Sequence, residues 1–110
     1  MDKELIHKTK FECIKFKLTD SEGKTRDSIN ILREEFVKEL ENKIYHYWID
    51  LTDIKIVTSI FIGTIAFMST LIKDKGEIVI FGSNENVKKI IEVTGILKLP
   101  NIIMATKDTV

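Results

Sequence analysis

The pattern of apolar and polar residues in the first part of the chain indicates extended structure over residues 4–18. Within it, residues 14–18 alternate between large apolar side chains and lysines, the period of a half-buried strand. In that alternation the apolar side chains are at even-numbered positions, whereas the apolar Phe11 and Cys13 are at odd-numbered ones. We therefore expect either a turn or bulge near Glu12, or a strand that is buried on both faces where it begins.

A polar stretch containing Gly23, residues 19–26, is expected to be a loop, and residues 28–43 have the pattern of an amphipathic helix. Asp27 and Ser28 are its candidate caps. The apolar positions, spaced by three and four, are Ile29, Leu32, Phe36 and Leu40. The charged positions expected to face solvent are Arg33, Glu34, Lys38, Glu39 and Glu41.

Residues 45–51 are rich in β-forming side chains and predict a strand, with a short extended piece at residues 54–57. The uncharged run over residues 56–72 is near the lower length limit for a membrane span. Six serine, threonine and glycine residues dilute its hydrophobicity. We therefore predict a buried core helix instead, capped by Thr58 or Ser59 and ending near residue 73.

Residues 77–81 form an apolar run typical of a strand inside a parallel sheet that is covered on both faces. The next helix is expected to be capped by Ser83, with Glu85 in its first turn, and to end at Gly95. Its expected core positions are Val87, Ile90 and Ile91. With a last short strand at residues 102–104, the order predicts a single α/β domain over residues 1–110. It has a mainly parallel four- to five-stranded sheet with helices packed on it.

Composition narrows the class of function. Seventeen basic residues balance seventeen acidic ones, so no net charge attracts nucleic acid or an anionic membrane. The lone cysteine, Cys13, forms no intramolecular disulfide, which favours a reducing cytoplasm, and the charged N-terminus does not have the pattern of a signal peptide. His7 and His46 lack the spacing of metal ligands, and no nucleophile has an assigned base. We therefore expect neither an enzyme nor a cofactor.

From about residue 47 onward, the order and spacing of short motifs resemble the STAS family (sulfate transporter and anti-sigma factor antagonist domains). The matching stretches are Ile49-Asp50-Leu51-Thr52, Ile54-Lys55-Ile56-Val57, Thr58-Ser59-Ile60-Phe61-Ile62-Gly63, residues 77–81 and Thr94-Gly95-Ile96-Leu97. Two positions depart from the family pattern, because Thr58 replaces the usual aspartate and Phe61 the usual glycine. The family's last helix would begin near Lys107 but the chain ends at Val110, so one face of the sheet is expected to be poorly covered.

The resemblance implies a bacterial regulatory protein of the anti-sigma factor antagonist type, which binds an anti-sigma factor that is also a serine kinase. It places the phosphorylated serine at Ser59, with Thr58 as a second candidate. The implied partner-binding residues are Ser59, Ile60, Ile62, Gly63, Asp50 and Asp53. A helix N-terminus also suits a phosphate on physical grounds, although two hydroxyl residues there can equally be simple caps.

Two other functions remain open at this stage. One is a scaffold that assembles with other STAS domains or with itself as a homodimer. The other is a small-ligand module that binds a nucleotide or lipid near the strand ends.

Asp50 and Asp53 lie at the carboxyl end of a strand, where they are expected either to accept hydrogen bonds from the next loop or to hold a metal. Gly82-Ser83-Asn84 is a weak anion nest or a cap.

Overall fold

The computed structural model of the chain describes residues 1–8, 11–19 and 26–105. These residues form five strands and three α-helices, in the order that the sequence predicts. The elements are β1 (Asp2–Lys8), β2 (Phe11–Lys17), α1 (Arg26–Glu41), β3 (His46–Asp50), α2 (Ser59–Leu71), β4 (Ile78–Phe81), α3 (Glu85–Val93) and β5 (Ile102–Ala105). A short 3₁₀ turn, Ile96–Lys98, lies between α3 and β5.

The strands form one sheet in the order β1-β2-β3-β4-β5. Only the first pair is antiparallel, and the other three neighbouring pairs are parallel. Each parallel pair is joined by a crossover that contains a helix, as parallel pairing requires. The predicted α/β class and the mainly parallel sheet are therefore confirmed.

The first two strands pair without interruption, from Asp2 opposite Lys17 to residue 8 opposite Phe11. The expected turn or bulge near Glu12 is therefore wrong, and the connection is residues 9–10, which lie outside the described residues. Cys13 and its neighbour Ile14 are both buried. The other predicted cause holds only in part, because β2 is buried on both faces at these two residues, whereas Phe11, where the strand begins, is 41% exposed.

One face of the sheet, which we call the helix face, carries alternate residues of the parallel strands. These residues share a single hydrophobic cluster with buried residues of all three helices. The ring of Phe36 on α1, for example, meets Tyr47 on β3 edge-on at a centroid distance of 5.0 Å. The strand residues of this face include Ile14, Phe16, Tyr47, Ile49, Ile78, Ile80 and Ile102. Burying this apolar surface is the main source of stability in such a fold.

The opposite face of the sheet carries aromatic pairs on its central strands and charged residues nearer β1, such as Lys15 and Lys17. It carries a stack of Phe11 on His46, with centroids 3.7 Å apart, and an edge-to-face pair of Trp48 and Phe81 at 5.7 Å. All four residues of β4 are buried, as predicted for a strand inside a parallel sheet. The expectation about a missing last helix near Lys107 concerns residues outside those described.

Helix α1 differs from its prediction in two ways. It begins at Arg26, so Asp27 and Ser28 lie inside its first turn and are not its caps. Glu39 does not face solvent, because it is only 8% exposed and its carboxylate lies 3.0 Å from the ammonium of Lys3. Position 39 therefore belongs to the edge of the buried stripe, on the side of the helix that Lys3 of β1 reaches.

Helix α3 is capped by Asn84 and not by Ser83, since the Asn84 side chain accepts a hydrogen bond from the Val87 N–H at 2.8 Å. Gly95 follows the helix in the left-handed conformation, as predicted for its C-terminal residue. Ile90 is exposed, whereas the other two expected core positions are buried.

Residues 54–57 form a loop and not an extended strand. The uncharged run that follows folds as α2, which has 13 residues. Within the described ranges, no helix has both the length and the apolar character needed to cross a membrane.

Candidate functional site

The N-terminus of α2 lacks the side-chain groups that normally satisfy a helix start. Thr58 occupies the N-cap position with extended backbone angles, but its side chain makes no capping hydrogen bond. Ser59 is the first helical residue, and the first turn contains no acidic residue. The start of α3, with Asn84 as cap and Glu85 in its first turn, has both features. The partial positive charge at the start of α2 is therefore not balanced by a carboxylate of its own first turn.

Ser59 lies in an exposed patch that contains two large apolar side chains. Ser59 itself is exposed, and within the described residues its hydroxyl makes no hydrogen bond. Ile56 is 52% exposed and Ile60 is 37% exposed. Gly63, one helical turn after Ile60, is exposed, and beyond its chain neighbours and the backbone of its own helix a Cβ there would meet no described atom within 4 Å. We call these four residues the Ser59 surface.

The packing of residues 1–8, 11–19 and 26–105 does not require a glycine at position 63. Glycine in a helix interior is less stable than alanine by about 0.5–1 kcal/mol, because more backbone entropy is lost on folding. Where packing requires a glycine, a side chain would clash with neighbouring atoms. Gly76 is such a position, because a Cβ there would be 1.8 Å from the Tyr45 carbonyl oxygen. A flat position on an exposed helix face instead allows another backbone to approach closely.

Two of the predicted partner-binding residues are used by the fold itself. Ile62 is partly buried and packs against the hydrophobic cluster. Asp50 is buried, and its Oδ1 accepts hydrogen bonds from the Thr52 N–H, at 2.9 Å, and from the Thr52 hydroxyl. This arrangement closes the turn after β3 and agrees with the hydrogen-bonding interpretation of Asp50.

Asp53 lies on the surface of the same turn. Its carboxylate is 3.7 Å from the ammonium of Lys17, and both side chains are largely exposed. Such a pair contributes little to stability, so Asp53 is available to a partner. The described residues contain no group of three or more histidine, cysteine or acidic side chains that could hold a metal ion.

A cleft of about 660 Å³ opens at the carboxyl ends of the central strands. Its walls come from the turn after β3, the β4–α3 loop with α3, the 3₁₀ turn and β5. The polar lining includes Thr52, Ser83, Glu85 and Lys88, and the apolar lining includes Leu97 and Met104. Open α/β sheets bind small ligands at this position, and the volume lies within the usual range of roughly 300–1,000 Å³.

One side chain joins the wall of the cleft to the loop that leads to Ser59. Besides capping α3, Asn84 donates a hydrogen bond from its Nδ2 to the carbonyl oxygen of Ile54 at 3.2 Å. Gly82 lies close by in the left-handed conformation, where a Cβ would be 2.6 Å from the Thr52 hydroxyl. The turn after β3 and the start of α3 are therefore tightly packed together.

Two neighbouring residues of β3, His46 and Tyr47, have shifted pKa values, although they lie outside the Ser59 surface. Burial lowers the pKa of His46, whose Nδ1 is buried without a hydrogen-bond partner. Burial also raises the pKa of Tyr47, whose hydroxyl donates to the Ile44 carbonyl oxygen at 2.6 Å. Both shifts follow from packing and give no sign of a catalytic group.

Sequence patterns did not reveal the exposed position of Ile56 or the cleft. Ile54 and Ile56 have the alternation of a strand, but the Ile54 N–H bonds to the Leu51 carbonyl oxygen in a turn. That turn leaves Ile56 outside the core. The chain matches no protein-family model, and none of the curated proteins compared with it is similar.

Proposed function

We propose that this chain is a cytoplasmic bacterial regulatory protein of the STAS type, similar to an anti-sigma factor antagonist. Its Ser59 surface binds an anti-sigma factor that is also a serine kinase, and phosphorylation of Ser59 ends the interaction. The observation that carries this proposal is the exposed Ser59 hydroxyl, which the described fold does not use, between the exposed side chains of Ile56 and Ile60. The element order and the motifs after residue 47 support the STAS assignment.

The position of Ser59 suits a switch that leaves the fold intact. A phosphate at a helix N-terminus faces free N–H groups and the positive end of the helix dipole, which favours it by roughly 0.3–1 kcal/mol. It also adds a charge of about −1.5 to −2 to the surface. A partner that covers Ile56 and Ile60 must bury this charge. The cost of several kcal/mol corresponds to a hundredfold or larger loss of affinity.

The replacement of the family aspartate by Thr58 removes one carboxylate from the site. An aspartate beside Ser59 would repel a phosphate, whereas threonine does not. Thr58 is also the N-cap residue, so a phosphate on its hydroxyl would lie at the same helix end as one on Ser59. We therefore keep Thr58 as the second candidate for modification.

The test uses affinity capture from cells of the source organism with four purified baits, read by mass spectrometry. The baits are wild type, Ser59→Ala, Ser59→Asp and the matched control Asn86→Asp. The control places the same charge in the first turn of α3, at another exposed helix start. Thermal unfolding of each bait verifies that the substitutions leave the fold intact.

We expect wild type, Ser59→Ala and Asn86→Asp to retain a kinase-type anti-sigma factor, and Ser59→Asp to lose it. Protein isolated from the same cells should carry phosphate on the peptide that contains Ser59. If all four baits retain the same partners, the Ser59 surface is not the switch. If no phosphate is found at Ser59 or Thr58 under any growth condition, phosphorylation is excluded as its mechanism.

The cleft favours a second candidate function, the binding of a small molecule such as a nucleotide. Its polar walls and its position at the strand ends carry this alternative. Thermal unfolding with a panel of nucleotides is the test. A rise in the unfolding temperature that Lys88→Ala removes, but Lys89→Ala on the same helix does not, would support this function. Unchanged unfolding with every compound would reject it for that class.

A further inference from the structure

Strand β1 lies at the edge of the sheet, so one side of its backbone pairs with β2 and no strand of the described residues lies on the other side. Proteins commonly guard such an edge with lysines that point into solvent. Lys3 does not do so here. Its ammonium lies 2.8 Å from the Glu35 carboxylate and 3.0 Å from that of Glu39, so the side chain is drawn over the helix face by α1.

Leu5 is the last member of an apolar row that crosses the whole sheet. The strand registers place Leu5, Ile14, Tyr47, Ile78 and Ile102 side by side on the helix face. The other four are buried in the hydrophobic cluster, whereas Leu5 is 50% exposed. The row therefore stops at an apolar side chain that has no neighbour on its outer side within the sheet.

We propose that two copies of this chain associate edge to edge through β1, in antiparallel pairing about a two-fold axis at Leu5. In this register Leu5 of one copy lies opposite Leu5 of the other, so the apolar row continues into the second sheet. Charge favours the same direction. The acidic residues Asp2 and Glu4 are in the first half of β1, while its last residue is a lysine. In this register Asp2 of each copy lies opposite the lysine that ends β1 of the other copy.

A second copy suits this edge better than an unrelated strand. A two-fold axis forms the same pair of opposite charges, the acidic start of one β1 and the basic end of the other, at both ends of the interface. Parallel pairing would instead place acidic residues of the two copies side by side, which destabilises a strand pair. The result is one continuous ten-stranded sheet. Since a strand pair buries less than the standard interface of about 1,600 Å², we expect a dissociation constant of about 1–100 μM.

Sedimentation equilibrium over concentrations of about 5–500 μM tests the association. The variants are Leu5→Lys and Leu5→Glu, each of which places two like charges at the two-fold axis. The matched control is Ile31→Lys, because Ile31 is 49% exposed and lies on α1. Thermal unfolding verifies the fold of each variant, and an exposed side chain such as Leu5 tolerates these changes.

We expect wild type and Ile31→Lys to dimerise, and each Leu5 variant to remain monomeric over the same range. An equimolar mixture of Leu5→Lys and Leu5→Glu should restore the dimer, because only a register with Leu5 opposite Leu5 pairs the new charges. Wild-type protein that stays monomeric at all concentrations would overturn the proposal and leave this edge to a strand of another protein. A dimer that the Leu5 variants do not weaken, or a mixture that stays monomeric, would overturn it too.

Hydrogen exchange provides a measurement that needs no variant. In the dimer, outward-facing amides of β1 are bonded to the second copy, so their exchange should slow as wild-type concentration rises through the dissociation constant. Amides of β5, at the other edge of the sheet, should not change and serve as the internal control. Equal exchange of β1 at low and high concentration would contradict the proposed pairing.

Discussion

Asn101 joins three elements through a buried group of hydrogen bonds, and replacing it should strongly destabilise the fold. Asn101 is only 7% exposed and lies just before β5. Its Nδ2 donates to the carbonyl oxygens of Ser69 and Gly76, at 2.9 Å and 3.4 Å, while the buried Ser69 hydroxyl donates to its Oδ1. The perturbation we consider is Asn101→Ala.

The magnitude follows from the groups that would lose a partner. The Ser69 hydroxyl is buried and loses its acceptor, which costs about 1–3 kcal/mol. The Ser69 carbonyl oxygen also accepts from the Ile72 N–H, so its loss is smaller, and the bond to Gly76 is long and weak. Adding a small cavity term, we expect the free energy of unfolding to fall by about 2–4 kcal/mol.

The assay is urea denaturation, followed by circular dichroism and by the fluorescence of Trp48, the single tryptophan of the chain. Asn86→Ala, an exposed change, should stay within about 0.5 kcal/mol of wild type. A cycle with Ser69→Ala should show that the double variant loses less than the sum of the single ones, by about 1–2 kcal/mol. Additive losses, or an Asn101→Ala effect below about 0.5 kcal/mol, would refute the reasoning.

Three further predictions concern His46 and the glycines. Because burial lowers the pKa of His46, the unfolded chain binds its proton more readily, so stability should fall as pH drops through about 6.5. Urea midpoints at pH 7.5 and 5.5 should show this fall in the His7→Asn control and a smaller one in His46→Phe. Gly63→Ala should raise the free energy of unfolding by about 0.5–1 kcal/mol, measured in urea, and no gain would mean that the glycine serves the fold. Gly82 and Gly95 both have a φ of 78°, so Gly95→Ala should lower the free energy of unfolding by about 1–2 kcal/mol. Gly82→Ala should lower it clearly more, because of these two glycines only Gly82 has other atoms where the Cβ would lie. Equal costs in thermal unfolding would contradict the packing argument.

Much of the fold could be predicted because local patterns and tertiary packing agree. The strand alternation of residues 14–18 and the helical spacing around Phe36 each indicate one element and its buried side. The fully apolar β4 indicates a strand that is buried on both sides. Since each parallel pair needs a helical crossover, the order of these elements was enough to predict the class. Patterns of this kind depend only on residues that are near each other in the chain.

The errors arise where a distant residue decides the outcome. Ser83 and Asn84 are both good caps, and Asn84 takes the role while its amide also binds the carbonyl oxygen of Ile54, 30 residues away. Glu39 has the position of a solvated residue on the helix, but Lys3 of β1 lies beside it. No local pattern contains either contact.

The candidate site was predictable only in part for the same reason. The sequence could place Ser59 at a helix start, since caps and uncharged runs are local signals. It could not show that Asp50 is buried in its own turn or that Ile56 is exposed. It also could not show the cleft, because the cleft is formed by residues of four separate segments.

The two hydrogen bonds of Asn84 link the wall of the cleft to the loop that leads to the Ser59 surface. The Asn84 side chain caps α3 at the wall of the cleft and holds the carbonyl oxygen of Ile54, in the loop that leads to Ser59. A ligand in the cleft that competes for this amide must release the loop. By linkage, a partner that fixes the loop then changes the affinity of that ligand by the same factor as the ligand changes the partner's. For a ligand and a partner of this kind, binding at one region would alter binding at the other without any movement of the sheet between them.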